Sequence, residues 1–272
     1  MEKEEKNDSY AHILKYTGIF GGVQGLSILI GLVRNKFAAL LLGTTGMGLV
    51  ALFNSTINMV VSAANFGIPT SGVHEISEQY GNSNTQLAST IRLIRSWSLI
   101  AALLGLVICV IFSPLLDSLT FFDRGHHILH FVLLAPAVAC LIVAGGEMAV
   151  LKATRQLRAL AFSSMCVVVT SLLISVPIFY FWQYQGIVVV LVLQSLAQML
   201  LVLRYSSRYY PYRVSLSLEF LGRGIRVVKL GLAFVIAGIL SSGAEFLIRT
   251  YINRNGVLSD VGLFNAGWTF AI

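Results

Sequence analysis

Charged residues are scarce in this sequence. Of its 272 residues only 11% are charged, whereas 56% are hydrophobic, and the mean hydropathy is +0.80. Because the surface of a soluble domain needs roughly 25–35% charged residues, so few charges cannot cover a globule of this size. Soluble enzymes, nucleic-acid-binding domains and secreted disulfide scaffolds are therefore excluded, and we predict an integral membrane protein.

Cysteine clusters and recognisable catalytic motifs are also lacking. Cys109, Cys140 and Cys166 stand alone in apolar runs, which predicts neither disulfides nor a zinc site. We find no nucleotide-binding loop, metal-ligand motif or catalytic triad, so we expect neither an enzyme nor a bound metal. The N-terminus lacks the pattern of a cleaved signal, and the first apolar run is therefore expected to be a retained span.

Apolar stretches of membrane-spanning length are abundant. A helix needs about 20 apolar residues to cross a bilayer core about 30 Å thick, and these runs are continuous rather than alternating as in barrel strands. We predict an all-α, polytopic helix bundle with spans at residues 13–33, 47–66, 93–112, 128–150, 160–181, 187–203 and 230–248. An eighth span begins near Val261 and is incomplete at Ile272.

The basic residues are distributed unequally between the two ends of these spans. Fourteen of the 19 lie on the side of the N-terminus, and cytoplasmic loops accumulate Lys and Arg, so we predict that side to be cytoplasmic. Residues 1–12 are then a cytoplasmic tail and 13–204 a lobe of six spans. Residues 205–228 form a cytoplasmic linker with an amphipathic helix on the membrane surface, and 229–272 begin a second lobe.

A weak internal repeat relates the first two spans to the last two. Five aligned pairs carry it: Gly18 with Gly231, Gly25 with Gly238, Lys36 with Arg249, Gly43 with Gly256 and, after one inserted residue, Gly48 with Gly262. Because six spans separate the copies, both enter the membrane in the same direction, as in transporters whose lobes are related by an axis along the membrane normal. We therefore expect this chain to be part of a transporter of about twice six spans.

Two segments carry a family resemblance. They are residues 31–50, GLVRNKFAALLLGTTGMGLV, and residues 65–73, NFGIPTSGV, with the polar stretch that follows. Both resemble segments of the Wzx-type O-antigen and polysaccharide flippases, which belong to the multidrug/oligosaccharidyl-lipid/polysaccharide (MOP) exporter superfamily. The resemblance implies a MATE-like, two-lobed, alternating-access transporter of the bacterial inner membrane that flips undecaprenyl-diphosphate-linked oligosaccharides. It implies polysaccharide polymerase and glycosyltransferase partners, and no cofactor beyond a coupling proton or Na⁺.

Ionisable residues in or beside the spans are the first candidates for substrate binding. Arg34 offers the planar fork that suits phosphate, and the resemblance adds that related lipid II flippases carry a functionally important arginine at the matching position. The alternative is that Arg34 and Lys36 snorkel to the headgroups at a helix end. Glu245 and Arg249, four apart, form an intrahelical ion pair or bind diphosphate and a coupling ion. Glu147 either pairs with Lys152 or Arg155 or lines the cavity.

Amide side chains form a second group of candidates. Asn54, Asn58 and Asn65 fall within about 40° of one another on one helical face. They either hydrogen-bond between helices or line a sugar-facing cavity. Gln24, Gln194 and Gln198 are weaker candidates for the same wall.

Three other functions stay open on the sequence alone. A cation-coupled multidrug exporter of the same superfamily is the main alternative, although the first three spans contain no carboxylate. A membrane-embedded glycosyltransferase or polymerase would require paired carboxylates or a large external loop. A non-transporting assembly subunit is the third.

The orientation of the chain can be tested by cysteine labelling. Single cysteines introduced at Arg155 and Arg213 should both react with an impermeant reagent from the cytoplasmic side, because the basic-residue asymmetry places both there. Labelling of these two positions from opposite sides would contradict the predicted topology.

Overall fold

The computed structural model describes residues 2–80, 84–121, 127–222 and 224–271. Within these ranges the chain is helical, with short connections and no strand. The helices are α1 (Glu2–Ala64), α2 (Ile68–Gln79), α3 (Asn84–Ile111), α4 (Ser113–Thr120), α5 (Ile128–Ala153), α6 (Leu157–Trp182), α7 (Gly186–Tyr209), α8 (Leu218–Gly222), α9 (Ile225–Asn255) and α10 (Leu258–Ala271).

Helix α1 is a hairpin of two arms, residues 2–42 (arm 1) and 44–64 (arm 2), which meet at Gly43. The backbone of Gly43 has φ 64° and ψ −173°, a conformation that residues other than glycine rarely adopt. Arm 1 continues well past Val33, where the first span was predicted to end. The prediction is wrong at that end because Arg34, Asn35 and Lys36 interrupt the hydropathy without breaking the helix, and the good helix formers that follow carry it on to Leu42.

Five helical stretches are long and apolar enough to cross a membrane: Gly21–Ala64, Thr85–Ile111, Ile128–Ala153, Leu157–Tyr209 and Ile225–Asn255. Gly43 divides the first stretch, and the 3₁₀ turn Gln183–Gln185 divides the fourth. Divided in this way, the described part of the chain contains seven spans, each overlapping a predicted one, followed by α10. The prediction of a multi-pass, all-α membrane protein is confirmed.

The first bundle has a core that contains large aromatic side chains. Phe53 of arm 2 and Phe131 of α5 are both almost fully buried, and their rings meet edge to face at 5.5 Å. Such pairs stabilise packing beyond the area that they bury. This core fixes arm 2 against α5 and so orients the opposite face of arm 2.

A buried ion pair ties α3 to α5 at the linker end of the bundle. Arg95 donates from Nε to Glu147 Oε1 at 2.7 Å and from Nη2 to Oε2 at 2.9 Å, with both side chains only 2% exposed. Arg95 also donates to the carbonyl oxygens of Pro211 and Tyr210 and to Ser206 Oγ. Pairing of Glu147 with Lys152 or Arg155 was the wrong prediction, because the carboxylate finds its partner across a helix interface rather than along its own helix.

The linker is bound to α3 over much of its length. Ser96 Oγ accepts a hydrogen bond from the Ser215 N–H at 3.0 Å, and Trp97 Nε1 donates to Leu221 O at 3.3 Å. The amphipathic helix predicted within 205–228 is not one continuous element: α7 runs to Tyr209, α8 is short, and α9 already begins at Ile225.

The two repeated hairpins touch at their paired glycines. A Cβ atom on Gly48 of arm 2 would collide with the carbonyl oxygen of Leu258, and one on Gly262 of α10 would collide with that of Thr44. The contacts are reciprocal, because the offset that relates Gly48 to Gly262 also relates Thr44 to Leu258. Gly256 follows the last residue of α9, as Gly43 follows arm 1, so the two copies have the same helix–break–helix form.

Helix α9 packs on the outside of the first bundle. Gly231 lies against the backbone of Phe66 and Gly67, and Gly238 lies beside Ser62. Helix α9 contacts α1 and α2, and it leaves a large apolar face exposed, including Phe234 and Leu240. Helix α9 thus lies against the first two spans, where a seventh span that begins a second lobe would lie; the division into two lobes stays a prediction.

Replacing the paired glycines tests this contact. Gly48→Val and Gly262→Val should each lower the free energy of unfolding by about 2 kcal/mol or more, because the added carbons meet backbone and not a side chain that can rotate away. Thermal unfolding in detergent measures the effect. Gly243→Val is the matched control, since a Cβ there meets nothing within 4 Å; equal stability of all three variants would contradict the glycine contact.

Candidate substrate cavity

A cavity of about 580 Å³ lies between the two hairpins. Its walls come from arm 1, arm 2, α9 and α10, with Gly43 and Gly262 among the lining residues. Its volume is within the range of about 300–1,000 Å³ that is usual for ligand sites. The cavity therefore occupies the junction of the two repeated units, where a parallel-repeat transporter holds its substrate.

Arg34 projects into this cavity from the middle of a helix. Its Nη1 donates to Ser171 Oγ of α6 at 2.8 Å, and its Nη2 donates to Asn35 Oδ1 at 3.1 Å. Arm 1 continues for eight residues beyond Arg34, about 12 Å of helix, so the residue is not at a helix end. Within the described residues no carboxylate pairs with Arg34, and its partners are neutral oxygens.

Lys36, Glu245 and Arg249 supply the other charges of the cavity wall. Lys36 is exposed and has no hydrogen-bond partner among the described residues. Arg249 Nη1 donates to Glu245 Oε2 at 2.8 Å, which confirms the predicted intrahelical ion pair. Arg249 Nη2 reaches Asn265 Oδ1 at 3.4 Å, whereas its buried Nε has no acceptor.

Amide and hydroxyl groups supply part of the remaining wall, which is otherwise apolar. Asn54 and Asn58 of arm 2 both line the cavity, which is one of the two alternatives for them, and Asn35 and Asn265 join them. Four side-chain amides offer both donors and acceptors, which is the chemistry that sugar hydroxyls require.

Five residues predicted for the site lie elsewhere. Asn65 follows the end of arm 2 and accepts a hydrogen bond from the Gly67 N–H at 2.8 Å, so its amide caps a turn. Glu147 is held by Arg95 at the linker end. Gln24 is exposed and Gln198 is half-buried; neither contributes to the cavity wall. Gln194 lines a small adjoining space with Arg34 and donates to Ser171 O at 3.3 Å.

Four residues of the site were missed by the sequence analysis. Asn265 and Thr269 line the cavity from α10, and their four-residue spacing is the same signal that identified Asn54 and Asn58. Asn35 adjoins Arg34 in the sequence. Ser171 is one of five Ser and Thr residues in α6 and carried no signal of its own, because its role depends on α6 lying against arm 1.

The electrostatics of the cavity favour an anion. Three cationic side chains, Arg34, Lys36 and Arg249, and one carboxylate, Glu245, line it. A site between helices has a lower effective dielectric than water, so this excess of positive charge acts strongly. The arrangement can bind an anionic group that also carries hydrogen-bonding substituents.

The sequence matches no protein-family model and no curated protein. The fold, in contrast, is similar to a solved structure described as an inward-facing conformation of a multidrug resistance MATE family transporter of the MOP superfamily, with a TM-score of 0.66 and 16% sequence identity. The match covers 86% of this chain and 56% of that chain, so the present chain spans little more than half of its length.

This similarity confirms the all-helical, MATE-like fold. At 16% identity it extends to the fold alone and does not distinguish a polysaccharide flippase from a drug transporter. The assignment to the Wzx type therefore stays a prediction.

The ion pair in α9 can be tested by removing its acid. Glu245→Gln should lower the free energy of unfolding by about 1.5–3 kcal/mol, because Arg249 is only 7% exposed and would lose a charge-assisted hydrogen bond. Glu78→Gln is the control, since that carboxylate faces His74 in an exposed pair, which contributes little. Thermal unfolding compares them, and equal loss in both variants would show that Glu245 does not hold Arg249.

Proposed function

We propose that this chain forms the first lobe and the first hairpin of the second lobe of a membrane transporter. The transporter flips an undecaprenyl-diphosphate-linked oligosaccharide across the bacterial inner membrane by alternating access. The observation that carries the proposal is the cavity between the repeated hairpins, with its excess of cationic groups and its four side-chain amides.

The positive charge of the cavity supports the proposal that the cavity binds the substrate through its diphosphate group. Arg34 already uses one Nη atom on Ser171 and the other on Asn35, so it is pre-oriented by neutral partners and its positive charge is not cancelled. A diphosphate brings acceptor oxygens that form charge-assisted hydrogen bonds, which are stronger than those to neutral oxygens. Binding a diphosphate therefore adds interactions without breaking an existing ion pair of Arg34.

The amides support a sugar beside the diphosphate. Asn54 and Asn58 are both exposed and line the cavity one helical turn apart on arm 2, so their amides face space rather than other helices. Polar amides within a membrane domain are costly unless they have partners. Hydroxyl groups of a glycan supply both donors and acceptors, whereas an aromatic drug satisfies few of these groups.

The position between two copies of a hairpin supports alternating access. Arg34 and Lys36 come from the first copy, and Arg249 comes from the second. When two lobes rock around a substrate, groups from both lobes are needed to hold it throughout the movement.

Cation-coupled multidrug export is the second candidate. The structural neighbour is described as a multidrug resistance transporter, and Glu245 supplies a carboxylate in the cavity wall. Against this candidate, Glu245 is paired with Arg249, and the surplus positive charge disfavours cationic compounds.

Substitution of Arg34 tests the proposal. Arg34→Ala should weaken binding of undecaprenyl-diphosphate-linked oligosaccharide about 10- to 100-fold, which corresponds to the loss of one charge-assisted hydrogen-bonding group. Arg34→Lys should lose less, because it keeps the charge but not the planar fork. Binding to the purified chain in nanodiscs is the first measurement, followed by translocation of the labelled sugar-lipid in vesicles.

The control is Arg208→Ala, which removes an exposed arginine outside the cavity and should bind like the parent. Parental affinity of Arg34→Ala at equal abundance would assign Arg34 a packing role only. Binding of cationic dyes in preference to the sugar-lipid would favour drug export.

A further inference from the structure

A second cavity, of about 440 Å³, lies between the first turns of α3 and the linker, apart from the cavity between the hairpins. Three arginines line it, Arg92, Arg95 and Arg213, and no carboxylate does. Thr85 and Ser89 of α3 and Phe220 of α8 contribute to the same wall. No part of the proposed transport function uses this pocket.

The three arginines are in different electrostatic states. Arg95 is buried and its charge is balanced by the two oxygens of Glu147. Arg92 and Arg213 are exposed, and among the described residues neither guanidinium group has a hydrogen-bond or ion-pair partner. The pocket therefore has two positive charges whose N–H donors are available.

The pocket also has a fixed geometry. The guanidinium carbon of Arg92 lies 5.4 Å from the ring centroid of Phe220, a cation–π contact that holds the group over the ring. Thr85, Ser89 and Arg92 have i, i+4 and i+7 spacing in α3, so two hydroxyls and a guanidinium share one helical face. The opposite wall, which carries Arg213, is held by the bonds from Arg95 to the carbonyl groups of Tyr210 and Pro211.

The depth of the pocket matches the headgroup region of a membrane. The span of α3 begins at Thr85, so Thr85, Ser89 and Arg92 occupy its first two turns, where lipid phosphates concentrate. Basic pockets at this depth on the cytoplasmic side bind anionic lipid headgroups. We propose that Arg92 and Arg213, with the hydroxyls of Thr85 and Ser89, bind the phosphate of an anionic phospholipid between α3 and the linker.

Native mass spectrometry of the purified chain tests this site without any transport assay. The chain is incubated in detergent with equimolar phosphatidylglycerol and phosphatidylcholine and is then released from the detergent in the spectrometer. The lipid molecules that stay bound to the chain are counted. The parent should retain phosphatidylglycerol in preference. Because each basic group near the membrane surface contributes about fivefold in affinity, the double variant Arg92→Gln with Arg213→Gln should bind about 25-fold more weakly.

Arg204→Gln with Arg208→Gln is the matched control, because it removes two exposed arginines from the same end of the bundle outside this pocket. It should keep the preference for phosphatidylglycerol. Arg92→Lys with Arg213→Lys keeps the charge and should retain most of the binding, which separates loss of charge from loss of folding.

Three results would overturn the proposal. The glutamine double variant could bind phosphatidylglycerol like the parent, or the control could lose as much as that variant. Inorganic phosphate that displaces the lipid at similar concentration would show that the pocket recognises a soluble anion instead of a lipid headgroup.

Discussion

Contact between helix backbones at paired glycines is the constraint on which the rest of this architecture depends. Lipid tails are as apolar as leucine, so helices in a bilayer associate through close packing rather than through the hydrophobic effect. Backbones come together at both ends of the hairpin pair, where Gly48 lies against Leu258, Gly262 against Thr44 and Gly231 against Gly67. Between these contacts Gly238 lies beside Ser62, and further along Asn54, Asn58, Glu245 and Arg249 line the cavity. The cavity is the space that this spacing leaves.

The arginines of the membrane domain differ in how far their positive charge is neutralised by neighbouring carboxylates. Arg95 is neutralised by a two-point ion pair and further fixed by carbonyl groups, and such a group is costly to disturb. Arg249 shares one carboxylate and keeps an unpartnered Nε. Arg34 is held by a hydroxyl and an amide, with no carboxylate beside it among the residues described. The arginine at the linker end is thus fully neutralised, whereas the two that line the cavity are neutralised in part or not at all.

The parts of the fold that depend on local periodicity were predictable. Apolar runs located the spans, glycine spacing located the hairpin repeat, and i, i+4 spacing located both the Glu245–Arg249 pair and the Asn54–Asn58 face. Contacts between distant segments were not predictable in the same way. Glu147 pairs with Arg95 rather than with a basic neighbour in sequence, and Ser171 reaches Arg34 only because α6 lies against arm 1. The end of arm 1 was misplaced because hydropathy records the solvation of side chains, whereas the turn depends on the backbone of Gly43.

Helix α9 is held at the end where it leaves the linker, so a change in its tilt moves its other end most. Ser96 and Trp97 hold the linker beside the start of α9, and Gly231 fixes the first turns of α9 against Phe66 and Gly67. Arg249 lies 18 residues further along the helix, which is a distance of about 27 Å at 1.5 Å per residue. If the contacts of Gly48 with Leu258 and of Gly262 with Thr44 open, a tilt of about 10° around the Gly231 contact would carry the Arg249 guanidinium roughly 5 Å. A small angular change at one end of α9 is thus amplified into a displacement as large as an ion-pair distance at the other.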